Sequence, residues 1–129
     1  MMGKVGMVGG MPQMETTMVY REYSHFTQTI SHHYSFAAKQ HGFVVVSFSS
    51  QFYYNRNPNA MTVAIKKNGK AVAFNTNAGT TAPNTSAIIA KSPGDDITVD
   101  LEIRTSGTDV GCDYWISAMA NEPIEFVET

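Results

Sequence analysis

Residues 42–52 constrain the fold of this chain more than any other stretch of the sequence. Two sets of side chains alternate along it, an apolar set and a small polar set: Val44, Val46, Phe48 and Phe52 against Ser47, Ser49 and Gln51. Alternation with a period of two, carried by β-branched and aromatic residues, predicts a long strand that buries one face. The turn-forming residues 55–59, Asn-Arg-Asn-Pro-Asn, predict where this strand ends.

Shorter segments with strand character occupy most of the remaining chain. The clearest alternation covers residues 97–104 and predicts four core residues, Ile97, Val99, Leu101 and Ile103. Residues 85–91 are apolar on both faces, which predicts a central strand. Residues 19–26 and 27–30 are expected to form one strand or two, and further strands are predicted at residues 32–36, 61–66, 71–74, 114–119 and 124–127.

These segments predict an all-β fold, because no part of the chain has helical periodicity over three turns. We expect a sandwich or jelly roll of about 8–10 antiparallel strands over residues 19–129. Residues 1–18 are irregular and are expected to form a flexible or interface arm. The chain of 129 residues has the length of one domain.

Two turns are predicted from their composition. Asn68-Gly69 stands between two alternating runs, and this dipeptide favours a type I′ turn because both positions need positive φ. Residues 92–95, Ser-Pro-Gly-Asp, are typical of a tight turn. The first turn therefore predicts a hairpin between the strands on either side of it.

The charge of the chain argues against some classes of partner. Charged residues make up 16% of the sequence and the formal net charge is −2, so there is no electrostatic basis for binding nucleic acid or an anionic membrane. No apolar run reaches the length of about 18 residues that a membrane span needs. The N-terminus lacks the continuous apolar segment of a signal peptide. We therefore expect a chain that does not insert into membranes.

The sparse charge also predicts association with another subunit. The chain is 43% hydrophobic, and a two-layer sandwich buries only one face of each strand. Val45 and Tyr53 share the outer face of the long strand with its Ser and Gln residues, while Trp115 and Met119 lie opposite Ile116 on a later strand. Composition alone predicts more than one subunit and does not fix the number.

Four motifs resemble the C1q-like family and occur in its order. They are a Phe followed by a turn, a Gly and an aromatic-rich strand; a strand that ends in Lys-Asn-Gly; a Pro-Gly-Asp turn between two apolar strands; and a last aromatic strand. In this sequence they lie at residues 34–48, 61–70, 86–103 and 114–119. The resemblance covers residues 32–120 and implies the C1q/tumour-necrosis-factor (TNF) jelly roll.

The resemblance also implies an assembly and a role. Members of the family are usually homotrimers that pack around a threefold axis through aromatic and apolar residues, and they act as recognition heads. Similar heads cap the tail fibres of bacteriophages and bacterial spore or surface proteins. A single cysteine and the lack of a signal peptide favour a virion or an extracellular, cell-surface location over a secreted animal protein.

Four residues at the end of the long strand are the candidate binding residues: Tyr53, Tyr54, Arg56 and Asn57. Aromatic residues and Arg dominate recognition surfaces. Aromatic rings also stack on sugars while amides hydrogen-bond the hydroxyls, so the expected partner is a glycan or protein receptor. The alternative is that Tyr54 continues the inward row of Phe52 and only Tyr53 is exposed.

We predict neither a metal site nor a cofactor. The candidate metal ligands include four histidines, His25, His32, His33 and His41. Adjacent His32 and His33 point to opposite faces of a strand and cannot share one ion, although one of them facing a trimer axis is an alternative. The carboxylates of Asp95, Asp96 and Asp100, or of Asp109 and Asp113, match no known calcium loop, which favours turn capping.

The sequence also predicts that the protein is not an enzyme. It contains no Gly-x-Ser-x-Gly motif and no phosphate-cradling glycine loop. The single Cys112 cannot form an internal disulfide and is expected to be a small packed residue, with a reactive thiol beside a histidine as the alternative.

The leading hypothesis is a trimeric binding or capping module, a phage virion or surface-fibre head that recognises a receptor or a structural partner. The alternatives are a capsid decoration protein, a soluble C1q/TNF-like ligand and, last, a hydrolase.

Overall fold

The computed structural model describes residues 13–54, 60–78, 81–105 and 110–129. These residues form nine β-strands and no helix: β1 (Glu15–Phe26), β2 (Ile30–Ala37), β3 (Gly42–Tyr54), β4 (Ala60–Lys67), β5 (Lys70–Thr76), β6 (Thr85–Lys91), β7 (Asp96–Arg104), β8 (Val110–Ala120) and β9 (Val127–Glu128). Accordingly, no helix in the described ranges is long and apolar enough to cross a membrane. The predicted all-β class is confirmed.

The strands form two antiparallel sheets that pack as a sandwich. The four-stranded sheet has the order β1–β8–β3–β6, and the five-stranded sheet has the order β9–β2–β7–β4–β5. Across both sheets β1 pairs with β8, β2 with β7, β3 with β6 and β4 with β5. The first half of the chain therefore runs back along the second half, as in one long hairpin that turns between β4 and β5.

The long strand predicted from residues 42–52 is β3, and it lies inside the four-stranded sheet between β8 and β6. Val44, Val46 and Phe48 are buried, whereas Ser49 and Gln51 are exposed. The alternation of the sequence therefore corresponds to an inner and an outer face, as predicted. Both neighbouring strands hold β3 in register, which fixes the direction of each of its side chains.

The core lies between the two sheets and includes all four residues predicted from β7. Tyr34 and Tyr114 are among its largest buried side chains, and their hydroxyl oxygens lie 2.6 Å apart in a hydrogen bond. Each tyrosine thus satisfies the hydroxyl of the other away from water, as buried polar groups require. Burial raises the pKa of both tyrosines, so their hydroxyls stay neutral.

Four strand predictions differ from the structure. Residues 27–29 belong to no strand and Ile30 begins β2, while the last strand is Val127–Glu128 and not residues 124–127. β6 is an edge strand of its sheet and not a central one: Ile89 is buried, but Ile88 on the opposite face is 75% exposed. The second apolar row of β6 therefore faces away from the core. β1 begins at Glu15, so residues 15–18 belong to the sandwich and not to the predicted arm. Residues 1–12 lie outside the described ranges.

Both predicted turns are confirmed. Asn68 and Gly69 have φ values of 53° and 82°, the positive φ at two successive residues that a type I′ turn requires. In the second turn, the backbone N–H of Asp95 donates to the carbonyl oxygen of Ser92 at 3.0 Å. The Asn68 side chain joins the two turns, because its amide donates to Asp95 Oδ1 at 3.0 Å and its oxygen accepts from the N–H of Asp96 at 2.8 Å.

Gly69→Val is expected to destabilise the protein by about 1–3 kcal/mol, because a β-branched residue resists positive φ. No heavy atom lies within 4 Å of the position that a Cβ would take, so the cost comes from the backbone and not from a clash. Gly69→Asn is the matched control, since asparagine tolerates this conformation. Thermal unfolding measures both variants, and an unchanged stability of Gly69→Val would contradict the assigned turn.

A buried ion pair closes one end of the sandwich. Lys91 Nζ lies 2.6 Å from Glu122 Oε2, and the two side chains are 0% and 2% exposed. Lys91 also donates to the carbonyl oxygen of Gln40 at 2.7 Å, while Glu122 accepts from the backbone N–H groups of Lys39 and Gln40 at 2.8 and 3.0 Å. The segment after β8 is thereby tied to β6 and to the β2–β3 turn. Burial acts to raise the pKa of Glu122, but these hydrogen bonds outweigh it and hold the pKa below its ordinary value.

Candidate functional site

The outward side chains of the four-stranded sheet form a surface that we call face A. The strand register arranges them in four rows: Thr16–Met119–Val45–Ile88, Met18–Ser117–Ser47–Ser86, Tyr20–Trp115–Ser49 and Glu22–Asp113–Gln51. The first row is mainly apolar, the second has three serines, the third is aromatic and the fourth is acidic. The chemistry of face A therefore changes from apolar to polar along the strands.

The apolar part of face A lies open to solvent in the single chain. Met18, Ile88 and Met119 are exposed, and Phe43 at the start of β3 is exposed as well. Between β1, β8 and β3, six residues of the first two rows line a groove of about 440 Å³: Thr16, Met18, Val45, Ser47, Ser117 and Met119. Isolated apolar side chains on a surface need no explanation, but a contiguous group of them marks an interaction site.

Two aromatic residues lie in the middle of this face. The ring centroids of Tyr20 on β1 and Trp115 on β8 are 5.2 Å apart, within the range of interacting aromatic pairs. Trp115 is half-buried and is the only tryptophan in the chain. Its fluorescence therefore reports directly on whether face A is covered.

The polar end of face A is organised around Asp113, which is only 2% exposed. Asp113 Oδ2 accepts hydrogen bonds from the hydroxyls of Tyr20, at 3.1 Å, and of Tyr53, and from the amide of Gln51 at 3.3 Å. The Tyr53 hydroxyl also lies 3.2 Å from Glu22 Oε2. Asp113 Oδ1 has no hydrogen-bond partner among the residues of the described ranges.

This network fixes the protonation of Tyr53. The hydrogen bond to Asp113, reinforced by burial, raises the pKa of Tyr53 well above its ordinary value. Burial likewise raises the pKa of Tyr20. Both phenols therefore remain neutral donors to the carboxylate, and the Tyr53 hydroxyl already has an acceptor within its own chain.

Of the four predicted binding residues, only Tyr53 has its side chain in the described part of the chain. Tyr53 lies on face A, at the end of β3. The side chain of Tyr54, together with Arg56 and Asn57, falls outside the described part of the chain. Their joint role in binding stays a prediction. The sequence alone does not connect Tyr53 with Asp113 or Tyr20, because these residues come from strands that are distant in the sequence and only the sheet register brings them together.

His32 and His33 lie on opposite faces of β2, as the sequence predicts. His32 points inward, where its ring contacts the Tyr23 hydroxyl and its Nδ1 lies 2.9 Å from Glu128 Oε2. His33 points outward and pairs with Asp100. In the described ranges no three His, Cys, Asp or Glu side chains are placed to hold a metal ion together.

Asp95 acts as a turn cap, as predicted. Its Oδ2 accepts the backbone N–H of Ser92 at 2.8 Å. The hydrogen bond from Asn68 and this backbone bond lower the pKa of Asp95. Asp109, the other candidate for a calcium loop, lies outside the described ranges.

Cys112 is a packed core residue. Its side chain is fully buried in β8. Burial, with a smaller contribution from the negative charge of Asp113, raises the pKa of the thiol to about 12. The thiol therefore stays protonated near neutral pH, whereas nucleophilic cysteines are thiolates in exposed, electropositive surroundings.

Comparison with known proteins adds no relative: no protein-family model matches the chain, and no curated protein matches it. The resemblance to the C1q-like family therefore rests on the motifs of the sequence alone.

Proposed function

We propose that this protein is the non-enzymatic head of a homotrimer with a C1q/TNF-like jelly roll, carried on a phage particle or surface fibre. In this role it recognises a receptor or a structural partner. The observation that supports the proposal most is the apolar part of face A, which the sandwich itself leaves uncovered.

The strand pairing supports the jelly-roll interpretation. A jelly roll consists of eight strands in two sheets, with two Greek keys. Here β1 to β4 pair with β8 to β5 in reverse order, and the resulting double ribbon is divided between the two sheets as β1–β8–β3–β6 and β2–β7–β4–β5. The short β9 extends the second sheet beyond β2.

Face A supports an assembly that closes on itself. Met18, Met119 and Ile88 present apolar surface, while Ser47 and Ser117 between them are small enough for another subunit to approach closely. A cyclic arrangement covers the apolar part of face A in every subunit and leaves no copy of it free. The number three comes from the resemblance, in which the family packs around a threefold axis.

Met119→Glu is expected to dissociate the trimer. Met119 lies in the apolar row of face A and is 39% exposed, so the chain tolerates a charge there as a monomer, whereas the assembly would bury that charge in every subunit. Light scattering is expected to show a mass near the 14.1 kDa of one chain for this variant. The fluorescence emission of Trp115 is expected to shift to longer wavelength as face A becomes exposed to solvent.

Val72→Glu is the matched control, because Val72 is a similarly exposed apolar residue on the other sheet. It is expected to keep the mass of the unmodified protein. If Met119→Glu folds and retains that mass as well, face A is not the subunit interface.

A further inference from the structure

The outward side chains of the five-stranded sheet form a second surface, face B, which holds a groove of about 490 Å³. One row of the register crosses this groove: His33 on β2, Asp100 on β7, Ala64 on β4 and Phe74 on β5. Ala64 is the smallest side chain in the row and forms a floor between Asp100 on one side and Phe74 on the other. Ligand pockets commonly have volumes of about 300–1,000 Å³.

Phe74 forms the apolar wall of the groove. It projects from the edge strand β5 and is 62% exposed, although phenylalanine is usually buried. The core does not use this ring, since the neighbouring Ala73 is the residue of β5 that packs against the core. A flat apolar ring beside polar groups is suited to contacting a ligand that has both kinds of surface.

The opposite wall is a fixed carboxylate. Asp100 Oδ1 is hydrogen-bonded to His33 Nδ1, and its Oδ2 lies 2.8 Å from Lys66 Nζ. Burial works against ionisation of Asp100, but the contacts with Lys66 and His33 outweigh it and lower the pKa of the carboxyl. Asp100 is therefore an ionised and oriented acceptor, and each of its oxygens can accept more than one hydrogen bond.

The next row of the register adds further hydrogen-bonding groups. Glu102 pairs with Ser31 on one side and Thr62 on the other, and all three line the groove. Arg104 Nε lies 3.4 Å from Glu102 Oε1. The carboxylate of Asp100 is thus paired with Lys66, and that of Glu102 lies near Arg104. Neither cation lines the groove, so the side chains of Asp100 and Glu102 present hydrogen-bond acceptors to it.

We propose that the face B groove binds an uncharged sugar ring of a surface glycan. Phe74 stacks on the apolar C–H face of the ring, while Asp100, Glu102 and Thr62 hydrogen-bond its hydroxyls. The two lining carboxylates disfavour an acidic sugar, and the single phenylalanine wall favours a ring with one apolar face. The site deepens the proposed receptor recognition, but none of its residues lies on face A, so it does not depend on the trimer.

The test is a glycan array that carries both neutral and acidic oligosaccharides, followed by calorimetric titration of the strongest neutral ligand. Phe74→Ser removes the stacking wall, and Ala64→Leu fills the floor without removing a polar group. Each is expected to weaken binding by about tenfold or more. Val72→Ser is the control, because this exposed residue lies on the same strand but does not line the groove, and it is expected to retain the affinity.

The proposal is overturned if the array shows no neutral ligand, if acidic glycans alone bind, or if every folded groove variant keeps the original affinity. Circular dichroism identifies a variant that fails to fold. If one of the two groove variants does not fold, the affinity of the other tests the proposal. Light scattering on the same samples tests the trimer separately. A monomer that binds neutral glycans in the groove would contradict only the proposed trimer. A trimer that binds no neutral glycan would contradict only the proposed glycan site.

Discussion

Phe48→Ala is expected to lower the free energy of unfolding by about 3–5 kcal/mol. Phe48 is buried in β3, and its ring stacks on Tyr114 with the ring centroids 5.7 Å apart. The truncation removes apolar contacts and leaves a cavity, because β3 is held on both sides by β6 and β8 and cannot collapse into the space. Unfolding in guanidinium chloride measures the change, at one fixed protein concentration because assembly contributes to stability.

Phe74→Ala is the matched control, since it deletes the same ring from an exposed position. Its effect on stability is expected to stay within about 0.5 kcal/mol, as for most surface substitutions. Similar losses in the two variants would mean that β3 is not at the centre of the core.

Glu122→Gln is expected to cost about 3–5 kcal/mol near neutral pH, because it leaves the Lys91 ammonium buried without its counter-ion. The double variant with Lys91→Met is the control. It removes the unpaired charge while the glutamine oxygen still accepts from the backbone N–H groups of Lys39 and Gln40, so part of the stability is expected to return. A double variant that is less stable than Glu122→Gln alone would contradict this account of the ion pair.

The same pair predicts a dependence of stability on acid. The folded protein holds the pKa of Glu122 below its ordinary value of 4.5, so the unfolded chain takes up the proton first as the pH falls. The contribution of Glu122 is therefore fully present above pH 4.5 and is lost as the pH falls through the lower folded pKa. The stability gap between the unmodified protein and Glu122→Gln is expected to narrow in acid, and a gap that widens below that pH would contradict the sign.

Local patterns of the sequence were sufficient for the long strands and for the two turns. The inward positions are apolar from Val44 to Phe48 in β3 and from Ile97 to Ile103 in β7, so each strand specifies its own inner face. Asn68-Gly69 needs no distant contact to form its turn, since the positive φ is a property of these two residues. These are the elements in which local preference and tertiary packing agree.

The position of a strand within its sheet does not follow from local pattern. The two apolar rows of β6 suggested burial on both sides, but Ile88 faces outward from an edge strand. An apolar outer row is equally consistent with a surface that another subunit covers. The sequence therefore showed the apolar surface of β6 without showing its location.

The polar sites depend on pairing between strands that are distant in sequence. Asp113 and Tyr53 are 60 residues apart, and His33 and Asp100 are 67 apart. The periodicity of a single strand gives the face of each residue but not its neighbour in the row. The Asp113 network and the face B groove became visible only once the register was known.

The mass of the unmodified protein in solution tests the central claim most directly. Multi-angle light scattering at micromolar concentration is expected to give about three times the 14.1 kDa of one chain. A mass near 14.1 kDa would contradict the proposed assembly, because no second subunit would then cover face A. A mass of about twice that value would retain the sandwich but contradict the C1q-like threefold arrangement.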